Sequence, residues 1–100
     1  MHRTMIRYRV KPDQADRNEE LVRAMYEELH RADPSGFRYA TFRLEDGVTF
    51  IHIAEQDGPD NPLAKIDAAR EFQRDIEARC DEPPVVMQAT EVGSFRFLPD

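Results

Sequence analysis

The sequence predicts an α+β fold: four antiparallel strands with two helices on one face, in the order β-α-β-β-α-β. Three observations predict it. Thr4–Val10 alternates with period two, as a half-buried strand does. Two stretches, about 14–32 and 62–80, place apolar residues three and four apart, as amphipathic helices do. Between them, Phe37–Ala54 carries two runs rich in aromatic and β-branched residues around Asp46-Gly47, a pair suited to a tight type I′ hairpin turn.

In the first strand Ile6, Tyr8 and Val10 share one side, with Met5, Arg7 and Arg9 on the other. Pro12-Asp13 ends it, with Asp13 as a plausible N-cap and Asp16 placed to favour the helix N-terminus. Leu21, Val22, Met25, Leu29 and Ala32 form the apolar stripe of the first helix, and Asp33-Pro34-Ser35-Gly36 stops it. A turn centred on Asp46-Gly47 sets the hairpin register: Arg43 faces Phe50, Thr41 faces His52 and Tyr39 faces Ala54. Opposed residues share a side. Ala40, Phe42, Leu44, Ile51 and Ile53, with Thr49, then make one face, expected against the helices. Tyr39, Thr41, Arg43, Phe50 and His52 make the other.

Gln56–Asn61 reads as a loop, and Asn61-Pro62 as an N-cap with proline at the first helical position. The second helix, about 62–80, turns Leu63, Ile66, Ala69, Phe72 and Ile76 inward. Cys80 near its end reads as a packing residue. Pro83-Pro84 precedes a last strand, Val85–Val92, and Ser94–Phe97 continues as a short extended tail. Sequential pairing and right-handed split crossovers make this a ferredoxin-like sandwich with sheet order 4-1-3-2 and Thr4–Val10 and Val48–Ile53 in the centre.

The 100 residues suffice for one small domain, residues 1–100. A net charge of −6 opposes binding to nucleic acid or to an anionic membrane surface. No apolar run approaches the ~18 residues of a membrane span. One cysteine, Cys80, rules out an internal disulfide, and the start of the chain lacks the apolar stretch of a signal peptide, so a cytoplasmic location is expected. No spacing of histidine, cysteine or carboxylate suggests a metal, and no glycine-rich loop suggests a phosphate or cofactor site.

With both helices on one side, the other side of the sheet is expected to be bare in a monomer. The residues assigned to it are Met5, Arg7, Arg9, Tyr39, Thr41, Arg43, Phe50, His52, Val86, Gln88 and Thr90. Such a partly apolar face calls for a partner, and two sheets related by a two-fold axis would cover it and enclose a cavity. His52, with a pKa near neutrality, is the candidate base or orienter there. Arg7, Arg9 and Arg43 are candidate anchors for a developing oxyanion. Tyr39, Thr41 and Phe50 would be walls of the site. The plainer reading pairs the arginines with acids such as Glu91 or Glu45 and hydrogen-bonds His52 to Thr41.

The stretch Gly36–Gly47, then Phe50-Ile-His-Ile53 and the closing Val92-Gly-Ser-Phe-Arg-Phe97, on this strand-helix-hairpin-helix-strand plan, resembles the dimeric α/β-barrel proteins of the antibiotic-biosynthesis-monooxygenase-like group. The resemblance spans nearly the whole chain. It implies a homodimer whose two sheets close a barrel, with a small ligand between sheet and helices or inside the barrel. For some members it implies oxidation of polyketide or quinol-type aromatics without metal or flavin. Haem-degrading relatives rely on an asparagine, an aromatic that is commonly tryptophan, and a histidine. This sequence has no tryptophan and no asparagine in its first strand, so that activity is not expected. Two function classes follow: a cofactor-independent oxygenase for a small aromatic or enolisable substrate, and a non-catalytic homodimeric module that binds a small metabolite. An RNA-binding sheet is a third reading, opposed by the net charge.

Overall fold

The computed structural model describes residues 2–97. Four strands, β1 (His2–Val10), β2 (Phe37–Arg43), β3 (Thr49–Gln56) and β4 (Cys80–Gln88), form one antiparallel sheet in the order β2-β3-β1-β4. This is the expected 4-1-3-2 sheet read from its other edge. Helix α1 (Ala15–Ala32) and the short helices α2 (Asp67–Gln73) and α3 (Ile76–Arg79) follow the expected β-α-β-β-α-β order. Among the described residues no helix is long and apolar enough to cross a membrane.

The hairpin register is as expected, with Arg43 opposite Phe50, Thr41 opposite His52 and Tyr39 opposite Ala54. The turn itself differs. Leu44 N–H bonds to the Thr49 carbonyl at 2.8 Å, and Gly47 N–H returns to the Leu44 carbonyl at 2.9 Å. The loop is therefore Glu45–Val48, four residues rather than two, and it keeps the same pairing. Only Gly47, at φ 79°, is left-handed there. The Asp46 carboxylate holds the loop by accepting from Val48 N–H, Thr49 N–H and the Thr49 hydroxyl at 3.0, 2.9 and 2.5 Å. Those bonds stabilise the ionised form and hold its pKa down at about 2.

Helix α1 is entered through a 3₁₀ turn, Pro12–Gln14, so Asp13 lies inside that turn and is not the N-cap. Asp33, at φ 45°, closes the helix by returning its N–H to the Leu29 carbonyl. The expected single helix over 62–80 is broken. Asn61 caps a 3₁₀ turn, Pro62–Lys65, and α2 begins afresh at Asp67. The Glu28 carboxylate of α1 receives Asp67 N–H and Ala68 N–H, both at 3.0 Å, and so docks α2 against α1. Asp75 then takes a left-handed φ of 61°, which separates α2 from α3. Strand β4 begins at Cys80, earlier than Val85, because β4 is an edge strand and absorbs Pro83-Pro84 at a register shift between Val85 opposite Arg7 and Glu82 opposite Arg9. Cys80 is buried opposite Val10, as the first residue of the strand rather than the end of a helix. Ser94–Phe97 forms no strand.

Sidedness is the main correction. β1 pairs with β3 so that Tyr8 faces Phe50 and Ile6 faces His52. The helix-covered side therefore carries Ile6, Tyr8, Val10, Phe50, His52, Tyr39, Thr41 and Arg43. Tyr8 stacks on Phe50 with ring centroids 5.6 Å apart, and Phe72 of α2 lies 6.1 Å from Tyr8 and 5.4 Å from His52. Ala40, Phe42, Ile51 and Ile53 lie on the open side with Met5, Arg7 and Arg9. β4 is reversed in the same way, with Val85 and Met87 on the open side and Val86 opposite Ile6. Thr90 lies beyond the strand. The hairpin is apolar on both sides, so its composition does not say which side meets the helices; its register against β1 does.

An alanine at Gly47 meets only Arg43 Nη2 at 3.9 Å, so its penalty is the left-handed backbone alone. Gly47→Ala is expected to lose about 1–2 kcal/mol in urea unfolding. Gly58→Ala, with nothing within 4 Å and no positive φ, is expected to leave the midpoint unchanged or slightly raised.

Candidate active site

Between the sheet and the helices lies a chain of polar side chains in an otherwise apolar layer. Arg79, buried at the end of α3, stacks over Phe72 and donates to the carbonyls of Phe72 (2.6 Å) and Arg74 (2.8 Å). Its Nε donates to Asn18 Oδ1 at 3.3 Å. Asn18, fully buried on the inward stripe of α1, donates from Nδ2 to the Tyr8 hydroxyl at 2.8 Å. Tyr8 Oη lies 2.8 Å from His52 Nε2. On the far side of the ring, His52 Nδ1 lies 2.5 Å from Tyr39 Oη and 3.3 Å from Thr41 Oγ1. Thr41 Oγ1 is in turn 2.9 Å from the Tyr26 hydroxyl of α1. Every described buried side-chain nitrogen and oxygen has a partner.

Burial sets the electrostatics of this relay. His52, 1% exposed, is held neutral because desolvation penalises the imidazolium and pushes its pKa down to about 4. The same desolvation raises the phenols of Tyr8 and Tyr39 and brings Tyr26 up to about 12. At neutral pH the relay therefore consists of neutral hydroxyls and a neutral imidazole, with one buried cation, Arg79, at its end.

The other end opens into a cavity of about 320 Å³ between the C-terminal half of α1 and β2. Tyr26, Leu29, Phe37 and Tyr39 line it from the helix side, and Arg38, Ala40, Ile53 and Glu55, whose side chains belong to the open side of the sheet, complete its lining. Phe37 and Tyr39 stack with centroids 5.7 Å apart, a flat aromatic wall. A volume near 300 Å³ is the low end of small-molecule sites.

No protein-family model and no curated protein matches this chain. Solved structures do. A crystal structure of an antibiotic biosynthesis monooxygenase superposes with a TM-score of 0.71 at 20% identity, covering 93% of this chain and 100% of that one. The chain has the antibiotic-biosynthesis-monooxygenase fold. Two further structures agree with that. PA3566 from Pseudomonas aeruginosa gives a TM-score of 0.71 at 20% identity, covering 92% of this chain and 95% of that one. Rv0793 from Mycobacterium tuberculosis gives 0.72 at 14% identity, covering 93% and 96%.

Within this monooxygenase fold the seven site residues read from sequence separate into four places. His52, Tyr39 and Thr41 come together in the relay, but beneath the helices rather than on the open face. His52 does not line the cavity, because Tyr8 and Tyr39 occupy its ring nitrogens and Phe72 covers its face. Phe50 is core packing under Tyr8. The arginines do not converge. Arg43 reaches α1, pairing with Glu19 at 2.9 Å and Asp16 at 3.3 Å. Arg7 and Arg9 remain on the open face and share Glu82, each at 3.3 Å. The residues that sequence reasoning missed are Tyr8, Asn18, Tyr26 and Arg79. Asn18 was visible as a polar residue three before Leu21 on the apolar stripe, and Arg79 as a cation three after Ile76.

The depressed pKa of His52 makes stability depend on pH. An unfolded histidine takes up a proton below about 6.5, whereas the folded one resists until about 4, so stability is full above 6.5 and falls as pH drops toward 4. Urea unfolding at pH 7, 5 and 4 should show the margin of wild type over His52→Gln shrinking by about 3 kcal/mol across that range. Parallel curves for the two proteins would show that His52 is not buried neutral.

Proposed function

We propose that this protein is a cofactor-independent monooxygenase-type enzyme that oxidises a small aromatic or enolisable substrate in the cavity between α1 and β2. The observation that carries the reading is the position of Tyr39. It stands at the cavity wall with its hydroxyl 2.5 Å from a buried, neutral imidazole. The fold shared with an antibiotic biosynthesis monooxygenase supports the same class. In such a reaction a ring methylene acidified by a conjugated carbonyl loses a proton to solvent, and the ketone becomes an enolate. The enolate reduces dioxygen, and the sum is CH₂ + O₂ → C=O + H₂O. Tyr39 and Tyr26 are the groups that touch the substrate oxygen and stabilise the charge that develops on it. His52 acts through Tyr39 as a positioning residue, not as the base in contact with substrate.

The working form on this reading is a homodimer formed through the open face of the sheet. That face exposes Phe42 at 40%, Val85 at 54% and Met87 at 46%, with Ile51 and Ile53 between them. An apolar surface of this kind on a small protein marks an interface. The sheet side is then covered by the twin subunit, beside the part of the cavity that Ala40 and Ile53 line.

Oxygen uptake with anthrone tests the reaction. Wild type should exceed the uncatalysed rate, and Tyr39→Phe should lower kcat by about 10- to 1000-fold, the range for loss of a single donor to a developing oxyanion. His52→Ala should lower it too, while Arg7→Ala, on the open face, should not. Rates equal to background in wild type would reject the assignment.

A further inference from the structure

We propose that the buried relay is ordered in one direction, from Arg79 to the cavity, and that this order turns the cavity wall into a hydrogen-bond donor. The cavity then selects a flat ligand bearing an accepting oxygen, an aromatic ketone or the enolate formed from it. Asn18 and Arg79 are the positioning residues that set the order. The inference rests on the cavity of the preceding section being the substrate site.

The order follows from counting protons. A guanidinium only donates, so the Asn18 atom facing Arg79 Nε is its carbonyl oxygen and the atom facing Tyr8 is its NH₂. Tyr8 Oη therefore accepts from Asn18. Its own proton needs an acceptor, and among the described residues the other group at Tyr8 Oη is His52 Nε2. Nε2 accepts, so the neutral imidazole carries its proton on Nδ1 and donates toward Tyr39 Oη.

Beyond the ring are three hydroxyls, on Tyr39, Thr41 and Tyr26. Thr41 Oγ1 is 2.9 Å from the Tyr26 hydroxyl and shares His52 Nδ1 with the Tyr39 hydroxyl. Among themselves the three hydroxyls, set in a row with Thr41 in the middle, can use at most two of their three protons, and Nδ1, already carrying a proton, accepts none. One proton is left over. A buried donor without an acceptor is destabilising, so the surplus settles where a ligand can meet it. Tyr26 and Tyr39 are the two hydroxyl-bearing side chains that line the cavity. Either one presents an O–H to whatever enters. A ligand oxygen that only accepts fits this site, whereas a hydrocarbon of the same shape leaves the donor unmet.

The test reverses the order with one atom. Asn18→Asp replaces the donor at Tyr8 with an acceptor. Tyr8 then turns its proton to the new carboxylate and accepts from His52 Nε2, Nδ1 becomes an acceptor, and the surplus proton is absorbed. Nitrogen-15 NMR at pH 7 should find the proton of His52 on Nδ1 in wild type and on Nε2 in Asn18→Asp. Calorimetric titration should show 1-tetralone binding about 5- to 10-fold more weakly to Asn18→Asp than to wild type, the loss of one hydrogen bond. Tetralin, which lacks the oxygen, should bind the two proteins within about twofold, since its contacts are apolar. The double variant Tyr26→Phe/Tyr39→Phe should weaken tetralone in the same way and serves if Asn18→Asp does not fold. An Nε2–H imidazole in wild type, no tetralone binding to wild type, or equal tetralone affinity in wild type and variants would overturn the proposal. None of these readouts needs turnover. Ketone selectivity without oxygen uptake would reject the reaction alone, and oxygen uptake without ketone selectivity would reject the proton order alone.

Discussion

The structure depends on satisfying a histidine that the sheet register carries into the core. Tyr8 is opposite Phe50 and Ile6 opposite His52, so the imidazole cannot reach solvent without breaking the central strand pair. A buried polar group is tolerated only when hydrogen-bonded. Both ring nitrogens are met by tyrosine hydroxyls, one from a neighbouring central strand and one from the edge strand β2. Each hydroxyl brings its own need for a partner, and α1 supplies Asn18 for Tyr8 and Tyr26 for Thr41. One polar residue in the core thus specifies how the sheet and α1 sit against each other, in a layer where apolar packing alone would leave them free to slide.

Much of the architecture was legible in the sequence because it follows from local patterns. The alternation in β1, the stripe of α1 and the runs on either side of Asp46-Gly47 each have a period, and connection rules leave few ways to join them. The hairpin register survived a wrong turn type, since a two-residue and a four-residue loop centred on the same bond pair the same residues. What was not legible was which side of β2 and β3 faces the helices. A strand with Phe50 and His52 on one side and Ile51 and Ile53 on the other satisfies either choice. The decision lies in a contact between residues more than 40 positions apart, Tyr8 with Phe50, and no local period encodes it.

That inversion also explains the fate of the site residues. His52, Tyr39 and Thr41 were singled out because they are polar and share a strand face, and that association is real. Their neighbours were wrong. Met5, Arg7 and Arg9 belong to the opposite side, so the expected cluster of three guanidinium groups divides into Arg43 against α1 and an Arg7/Arg9 pair around Glu82. The apolar residues expected in the core, Phe42 and Ile53 among them, instead make the open face more apolar than sequence reasoning allowed.

The break in the second helical segment, which its apolar period concealed, is what gives the relay its starting point. A continuous helix through 62–80 would have engaged the carbonyls of Phe72 and Arg74 in its own ladder. The left-handed turn at Asp75 releases both, and carbonyls at a helix end must find donors. Arg79, carried back over them by α3, satisfies both with one planar fork and keeps Nε for Asn18. A lysine there could not offer three donors in fixed directions. The carbonyls at the end of α2, together with the charge of Asp75, offset the buried cation. An irregularity in the backbone thus becomes, through one arginine and one asparagine, a fixed orientation for the proton on His52.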